Sequence, residues 1–391
     1  MMFACALMLP VLAFVPSVFA EGNLTGLLQA LNSTGLDQFA NATASLNGTT
    51  MGRQVLAQLS EGNKTIFAPS DQAWLSVNPA FIGNETSLAD IISYHIVSGN
   101  LVNETQTYPN ETIGHTLLDD PNLVMLEGDQ SQVLVWSKVD NGSLFVMNNG
   151  TNITVTNTTT FNTSAILAIN SVLVPPPNIS AVLNNPSYNT SLLVAILQST
   201  TLPNGTSFLD KISSARGITL FAPNNAGVQA AQSSLSGLSK NATALLNVIS
   251  NHVINGTSIY SNEISSSSPV ISAGGEDYAF CSNSTGFFVS VGGSNQVQIV
   301  EPNVLTSNGV VYIVNGVMFD TNSNPGAASS AFASATSAAA HSTTTSSVTS
   351  TSASTSTPTP TPTSGGTAKA GFSNWKTGAL IGMVVGFGEL V

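Results

Sequence analysis

Thr65-Ile66-Phe67-Ala68-Pro69 returns as Thr219-Leu220-Phe221-Ala222-Pro223, and the two landmarks that follow the first copy also follow the second. After copy one, a helical apolar stretch carries Tyr94-His95, and the later apolar run 166–174 contains Ile169-Asn170-Ser171-Val172-Leu173. After copy two stand Asn251-His252 and Val314-Asn315-Gly316-Val317-Met318. Three landmarks in one order, roughly 145 to 157 residues apart, give a period too long for a solenoid and suited to a whole globular domain. Each unit is expected to own a core.

Within the first unit, Leu24, Leu27, Leu28 and Leu31 fall on one helical face, and Val55, Leu56 and Leu59 on another. The Thr65–Pro69 run reads as a short buried strand ended by its proline. Ser70 or Asp71 can cap the helix that follows, with Trp74 and Leu75 on its buried side. Leu88, Ile91, Ile92, His95 and Ile96 continue at helical spacing, and strands follow over 133–136, 144–146, 153–155 and 165–174. The second unit repeats the order with helices around Ile179, Leu193 and Leu245, then strands over 278–280, 287–289, 297–299 and 310–319. Helices first and strands later predict an α+β fold twice over, each copy a helical layer on a mainly antiparallel sheet. The units span 23–176 and 178–320, joined by the stiff connector Pro175-Pro176-Pro177.

The chain's two ends read as processing segments. Residues 1–20 are an apolar run closing on Val18-Phe19-Ala20, the pattern of a secretory signal peptide. From 324 to 366 the composition turns to Ala, Ser and Thr, with alternating Thr and Pro over 357–363, which predicts a disordered, O-glycosylated stalk. Small residues Ser364, Gly365 and Gly366, a short polar spacer and an apolar tail within 367–391 match the signal for replacement by a glycosylphosphatidylinositol anchor, which would tie the protein to a membrane through lipid.

Of 391 residues only 7% are charged, with 20 acidic against 8 basic side chains and a net charge of −12. Nucleic acid is excluded as a partner, because no basic patch exists to displace counterions from phosphate. Polarity comes from Asn, Ser and Thr instead. Nineteen asparagines head N-x-[ST] sequons: Asn23, Asn32, Asn41, Asn47, Asn63, Asn84, Asn103, Asn110, Asn141, Asn149, Asn152, Asn157, Asn162, Asn178, Asn189, Asn204, Asn241, Asn255 and Asn283. Glycans at these positions would do the solubilising that charges normally do. Loss of the signal peptide would remove Cys5 and leave Cys281 as a lone thiol, expected as a small buried apolar residue.

The recurring Thr-Ile/Leu-Phe-Ala-Pro, the Tyr-His that follows it and the closing Ile/Val-Asn-x-Val-Leu/Met resemble the conserved blocks of fasciclin (FAS1) domains, and the whole chain resembles fungal lipid-anchored FAS1 glycoproteins. The resemblance covers both units. It implies wedge-shaped α+β domains and roles in adhesion and cell-surface or matrix organisation. It also implies interaction residues in the Tyr-His region and in an acidic Glu-Pro-Asp-Ile-Met segment, which map here onto Tyr94, His95, His252, Glu301 and Asn303. Two departures weaken an integrin-type contact: Asn251 stands where the motif has Tyr, and Asn303 where the segment has Asp.

Chemistry is sparse. Among four histidines, His95 and His252 lie in apolar stripes and read as buried, hydrogen-bonded imidazoles. His115 with Asp119 and Asp120 is a weak cation motif. Trp136 and Phe145, on neighbouring strands, can stack on a sugar ring but sit at core-like positions. Nucleophile-elbow, phosphate-loop and zinc-ligand spacings do not occur, and no cofactor is implied. The expectation is a non-enzymatic surface or extracellular glycoprotein whose partners are cell-surface or matrix proteins, polysaccharides or the chain itself. Alternatives are a vacuolar or endomembrane-lumen glycoprotein supporting trafficking or membrane fusion, and a carbohydrate-binding or carbohydrate-active protein.

Overall fold

The computed structural model describes residues 18–77, 84–238, 240–264, 269–283 and 286–346. Most of the signal segment 1–20, the attachment positions Ser364, Gly365 and Gly366, and the tail 367–391 lie outside the described residues.

Both repeats fold the same way. In the first, α1 (Val18–Ser33), α2 (Asp37–Ser45) and α3 (Thr50–Ser60) precede β1 (Lys64–Pro69), followed by α4 (Asp71–Trp74) and α5 (Glu85–Tyr94). Then come β2 (Ile96–Ser98), β3 (Thr112–His115), β4 (Val133–Lys138), β5 (Leu144–Asn148), β6 (Thr151–Phe161) and β7 (Ser164–Ile169). The second repeat places α6 (Ile179–Leu183), α7 (Ser191–Ser199) and α8 (Phe208–Ser213) before β8 (Ile218–Pro223), then α9 (Asn225–Ala230), α10 (Gln232–Leu238), α11 (Ala242–Ser250) and β9 (Val253–Asn255). It closes with β10 (Tyr278–Asn283), β11 (Gly286–Val291), β12 (Val297–Thr306) and β13 (Gly309–Val314). The sheets run β2-β1-β7-β6-β5-β4-β3 and β10-β11-β12-β13-β8-β9. Every pairing is antiparallel except β1 with β7 and β8 with β13, where the first and last strands of each domain meet in parallel.

Each letter of the repeated pentapeptide has a structural reason. The Thr65 hydroxyl donates to Gly99 O and accepts from the Leu101 amide, and Thr219 does the same with Thr257 O and the Ile259 amide. Phe67 and Phe221 are wholly buried, edge-on to Trp136 at 5.4 Å and stacked on Tyr312 at 5.2 Å. Burying one such ring contributes about 2–3 kcal/mol. Ala68 and Ala222 are also fully buried, and Ala68 packs with the helices in the cluster that includes Phe39 and Ile92. The proline ends the strand, after which Ser70 or Asn224 caps the next helix by accepting from the Ala73 or Gly227 amide. Trp74 is buried as expected, but Leu75 is 76% exposed, because α4 stops after one turn and leaves Leu75 beyond its packed face. Trp136 is core, its indole N–H donating to Thr105 Oγ1.

Two further expectations fail. Cys281 is exposed rather than buried: β10 is the edge strand of its sheet, and Cys281 alternates away from the Tyr278 and Phe280 side. The stalk expected from residue 324 does not begin there, since Pro325–Ser346 forms a helix, α12. Asn324 caps it by accepting from the Ala327 amide, and alanine, the best helix former, fills its length. The helix lies across both domains. Its Ala339 packs on Gly128 of the first, and its Phe332 and Ala335 on Gly256 of the second. Both glycines have positive φ, and a Cβ on either would stand within 3.0 Å of the helix.

Candidate functional site

The Tyr-His landmark proves to be a brace. His95 ends α5, where its Nδ1–H donates to Ile91 O at 2.7 Å while Nε2 accepts from the Leu173 amide at 2.9 Å. His252 repeats this with Val248 O at 2.8 Å and the Met318 amide at 3.0 Å. Each backbone carbonyl also accepts from the central Phe of the pentapeptide, Phe67 or Phe221. The three recurring landmarks are therefore one hydrogen-bonded assembly. Burial pushes both imidazoles down to about 4, so they are neutral and fixed in one tautomer.

The residues before the histidines diverge. Tyr94 fills the first core with no exposed surface, its hydroxyl beside the Asn148 amide, which also bonds Val174 at both ends. Asn251, equally buried, donates to Asp320 O and Asn322 O and accepts from Ser272 Oγ, tying down the chain that leads into α12.

The Glu301-Pro302-Asn303 segment lies in β12, where Pro302 has no N–H to give the ladder and the register to β13 shifts between Glu301 and Val304. The resulting bulge puts Asn303 at φ 48° and turns its side chain toward the first domain. There Asn303 Nδ2 donates to Glu111 Oε2 and to Ser261 Oγ, while Oδ1 accepts from the Ser261 amide and the Tyr312 hydroxyl. The single Tyr312 hydroxyl hydrogen has its nearer acceptor in Ile259 O, at 2.8 Å against 3.2 Å to Asn303.

Further bonds cross the same seam. Glu127 accepts from the Ser258 amide at 2.7 Å and from Ser258 Oγ at 2.8 Å. The Met125 amide donates to Ser307 O, the Gly217 amide to Met125 O, and Gln132 Nε2 to Thr306 O. Arg216 pairs with Asp129 at 2.8 Å, the only ion pair among the described residues. Val133 of β4 packs in the apolar cluster of the second domain with Phe221 and Tyr260.

Between the domains lies a polar cavity of about 200 Å³ lined by Tyr94, Asn148 and Asn152 from one side and Tyr188, Glu301 and Asn303 from the other, with Pro176 and Pro177 along its wall. Of the five residues expected to meet a partner, the structure gathers Tyr94, Glu301 and Asn303 here and leaves His95 and His252 behind in their cores. Only Glu301 is exposed; Tyr94, His95, His252 and Asn303 are buried and present no surface to a partner. Their place as contact residues is corrected on that ground: the helix-strand brace and the domain seam enclose them. Glu111 carried no sequence signal beyond lying in the Asn110 sequon, because its partner is nearly two hundred residues away. Phe145 lies half-buried against Tyr108 at 6.2 Å. His115 sits on β3 with Nδ1 bonded to Ser131 O, and no cluster of three metal-ligating side chains occurs among the described residues.

The sequon asparagines separate cleanly from the structural ones. Seventeen of the nineteen are exposed, Asn23 and Asn255 are half-buried, and none is buried. Among the described residues, the four buried asparagines, Asn148, Asn251, Asn303 and Asn308, all lie outside sequons. Where a sequon asparagine also caps a helix, as Asn84, Asn178 and Asn241 do, it does so through Oδ1 and leaves Nδ2 for a glycan.

Two α+β units that each join first and last strands in parallel and pin a helix to the chain after the closing strand through one histidine define a tandem-domain protein. The family model for the fasciclin domain matches residues 23–175 and 189–320, and the chain belongs to the fasciclin (FAS1) family with two tandem domains. It is similar to the structure described as a FAS1 domain pair from the insect cell adhesion molecule fasciclin I, at 15% identity and a TM-score of 0.34, covering 74% of this chain and 98% of that one. Comparison with curated proteins returned no match.

Proposed function

We propose that this protein is a non-enzymatic, N-glycosylated cell-surface protein, lipid-anchored at its C-terminal end, in which two docked FAS1 domains act in adhesion or in organising wall or matrix. The observation that carries this reading is the division of asparagines among the described residues: no sequon asparagine is buried, seventeen of nineteen are exposed, and the buried asparagines lie outside sequons. That division is what a chain handled by the glycosylation machinery requires, since a glycan can be accommodated only where Nδ2 reaches solvent. Family membership supports the adhesive part, FAS1 domains being found in extracellular adhesion proteins. Weak contacts by a paired module, multiplied over many copies on a surface, give avidity without a strong individual site. The partners are cell-surface or matrix proteins, polysaccharides or further copies of the chain. The test is binding of the purified glycosylated ectodomain, arrayed at high density, to cells, to wall polysaccharide and to itself. Density-dependent binding to one of them is expected, and none at any density would overturn the proposal.

A further inference from the structure

Glu111 is 4% exposed at the seam between the domains, and no cation among the described residues acts on it. One carboxylate oxygen accepts from Asn303 of the second domain; the other is buried with no partner. The titratable groups around it are all acids. Glu301 of β12 acts on it directly, Glu111 in turn acts on Tyr312 of β13, and Tyr260 and Glu263, in the loop after β9, also act on Tyr312. Glu127 and Tyr94 of the first domain complete the set through Tyr260. An ionised Glu111 would be a buried carboxylate with one unpartnered oxygen facing the Glu301 charge, an arrangement whose cost in free energy the single bond from Asn303 returns only in part.

We propose that Glu111 makes docking of the two domains acid-dependent: its neutral carboxyl keeps the seam closed, and its ionisation loosens it. Burial, the larger cause, and the Glu301 charge push the carboxyl up to about 7 from its usual 4.5, against the opposing bond from Asn303. Separation of the domains would return Glu111 to water and to its ordinary value. The docked form therefore holds a proton that the separated form has released. Docking is strongest at or below pH 4.5, weakens as pH rises from there to about 7, and is level above that. The buried histidines do not report this change, since each is enclosed within its own domain.

Hydrogen exchange on the intact chain tests it. The Met125 and Gly217 amides bond across the seam. After correction for intrinsic exchange, the protection of both should fall on the order of fiftyfold from pH 5 to pH 8. In Glu111→Gln, whose amide keeps an acceptor for Asn303, the pH slope should vanish. Asn303→Asp, which sets a second carboxylate against the first, should steepen it and is an independent reading should the glutamine variant fail to fold. Equal protection at both pH values in the wild type, an unchanged slope in Glu111→Gln, or an unchanged slope in Asn303→Asp would each overturn the proposal.

Discussion

His95 and His252 are the residues on which each domain turns. A neutral imidazole with both nitrogens satisfied joins the end of the central helix to the chain after the closing strand, and its carbonyl holds the pentapeptide strand. Because the folded values lie near 4 and the unfolded value near 6.5, the histidines add no penalty above pH 6.5. They destabilise the fold progressively as pH falls from there toward 4, the reverse of the effect of Glu111. Nitrogen-15 spectra should show both rings as neutral Nδ1–H tautomers at pH 6; imidazolium signals there would contradict the assignment. His95→Ala leaves Ile91 O and the Leu173 amide without their partner and opens a cavity, and should cost about 3 kcal/mol in urea unfolding. A loss below about 1 kcal/mol would show that the brace is not structural. The pairing of each histidine with its closing block was present in the sequence only as a repeated order, since contact between residues 95 and 173 is decided by topology. The burial of Tyr94 and Asn303 was hidden for a related reason: the motif letters locate the residues, while the second domain and the Pro302 bulge decide what surrounds them.

Among elements, the pentapeptide strand was legible as a buried run and behaves as one, with β1 and β8 buried at every position. Pro69→Leu or Pro223→Leu enlarges a packed site and should destabilise its domain by about 1–3 kcal/mol in thermal melts; wild-type melting of both would contradict the packing described. Helix α12 was not legible, because Ala, Ser and Thr with Phe332 as the single large apolar residue read as a segment unable to fold alone. It has no need to fold alone. Phe332 and Ala339 dock against bare backbone at Gly256 and Gly128, a surface supplied by the rest of the molecule. Gly128→Val, strained at φ +62° and colliding with Ala339, should release the helix and speed protease cleavage within 325–346 about tenfold or more. An unchanged cleavage rate would mean that the helix is held elsewhere.

At the scale of the molecule, the seam bonds, the cavity between the domains and the helix across both make the two FAS1 domains a single unit. The spacer proposed between them and the membrane is correspondingly shorter than the composition change at residue 324 implied, since twenty-two residues of it are helix. Duplication, fold class and sequon density could all be read from residues, whereas docking could not, because polar contacts between copies leave no periodicity. With only 7% charged residues, surface polarity rests on Asn, Ser and Thr and on the proposed glycans. Enzymatic removal of N-glycans from the intact protein should therefore leave the fold unchanged by circular dichroism while promoting self-association in sedimentation. A deglycosylated protein that stays monomeric would show that the glycans are not needed for solubility.

The central claim is display at the cell surface through a lipid. Intact cells treated with phosphatidylinositol-specific lipase should release both domains into the medium, detected with an antibody against them. Retention after lipase, with staining only in permeabilised cells, would contradict the claim and favour the endomembrane alternative.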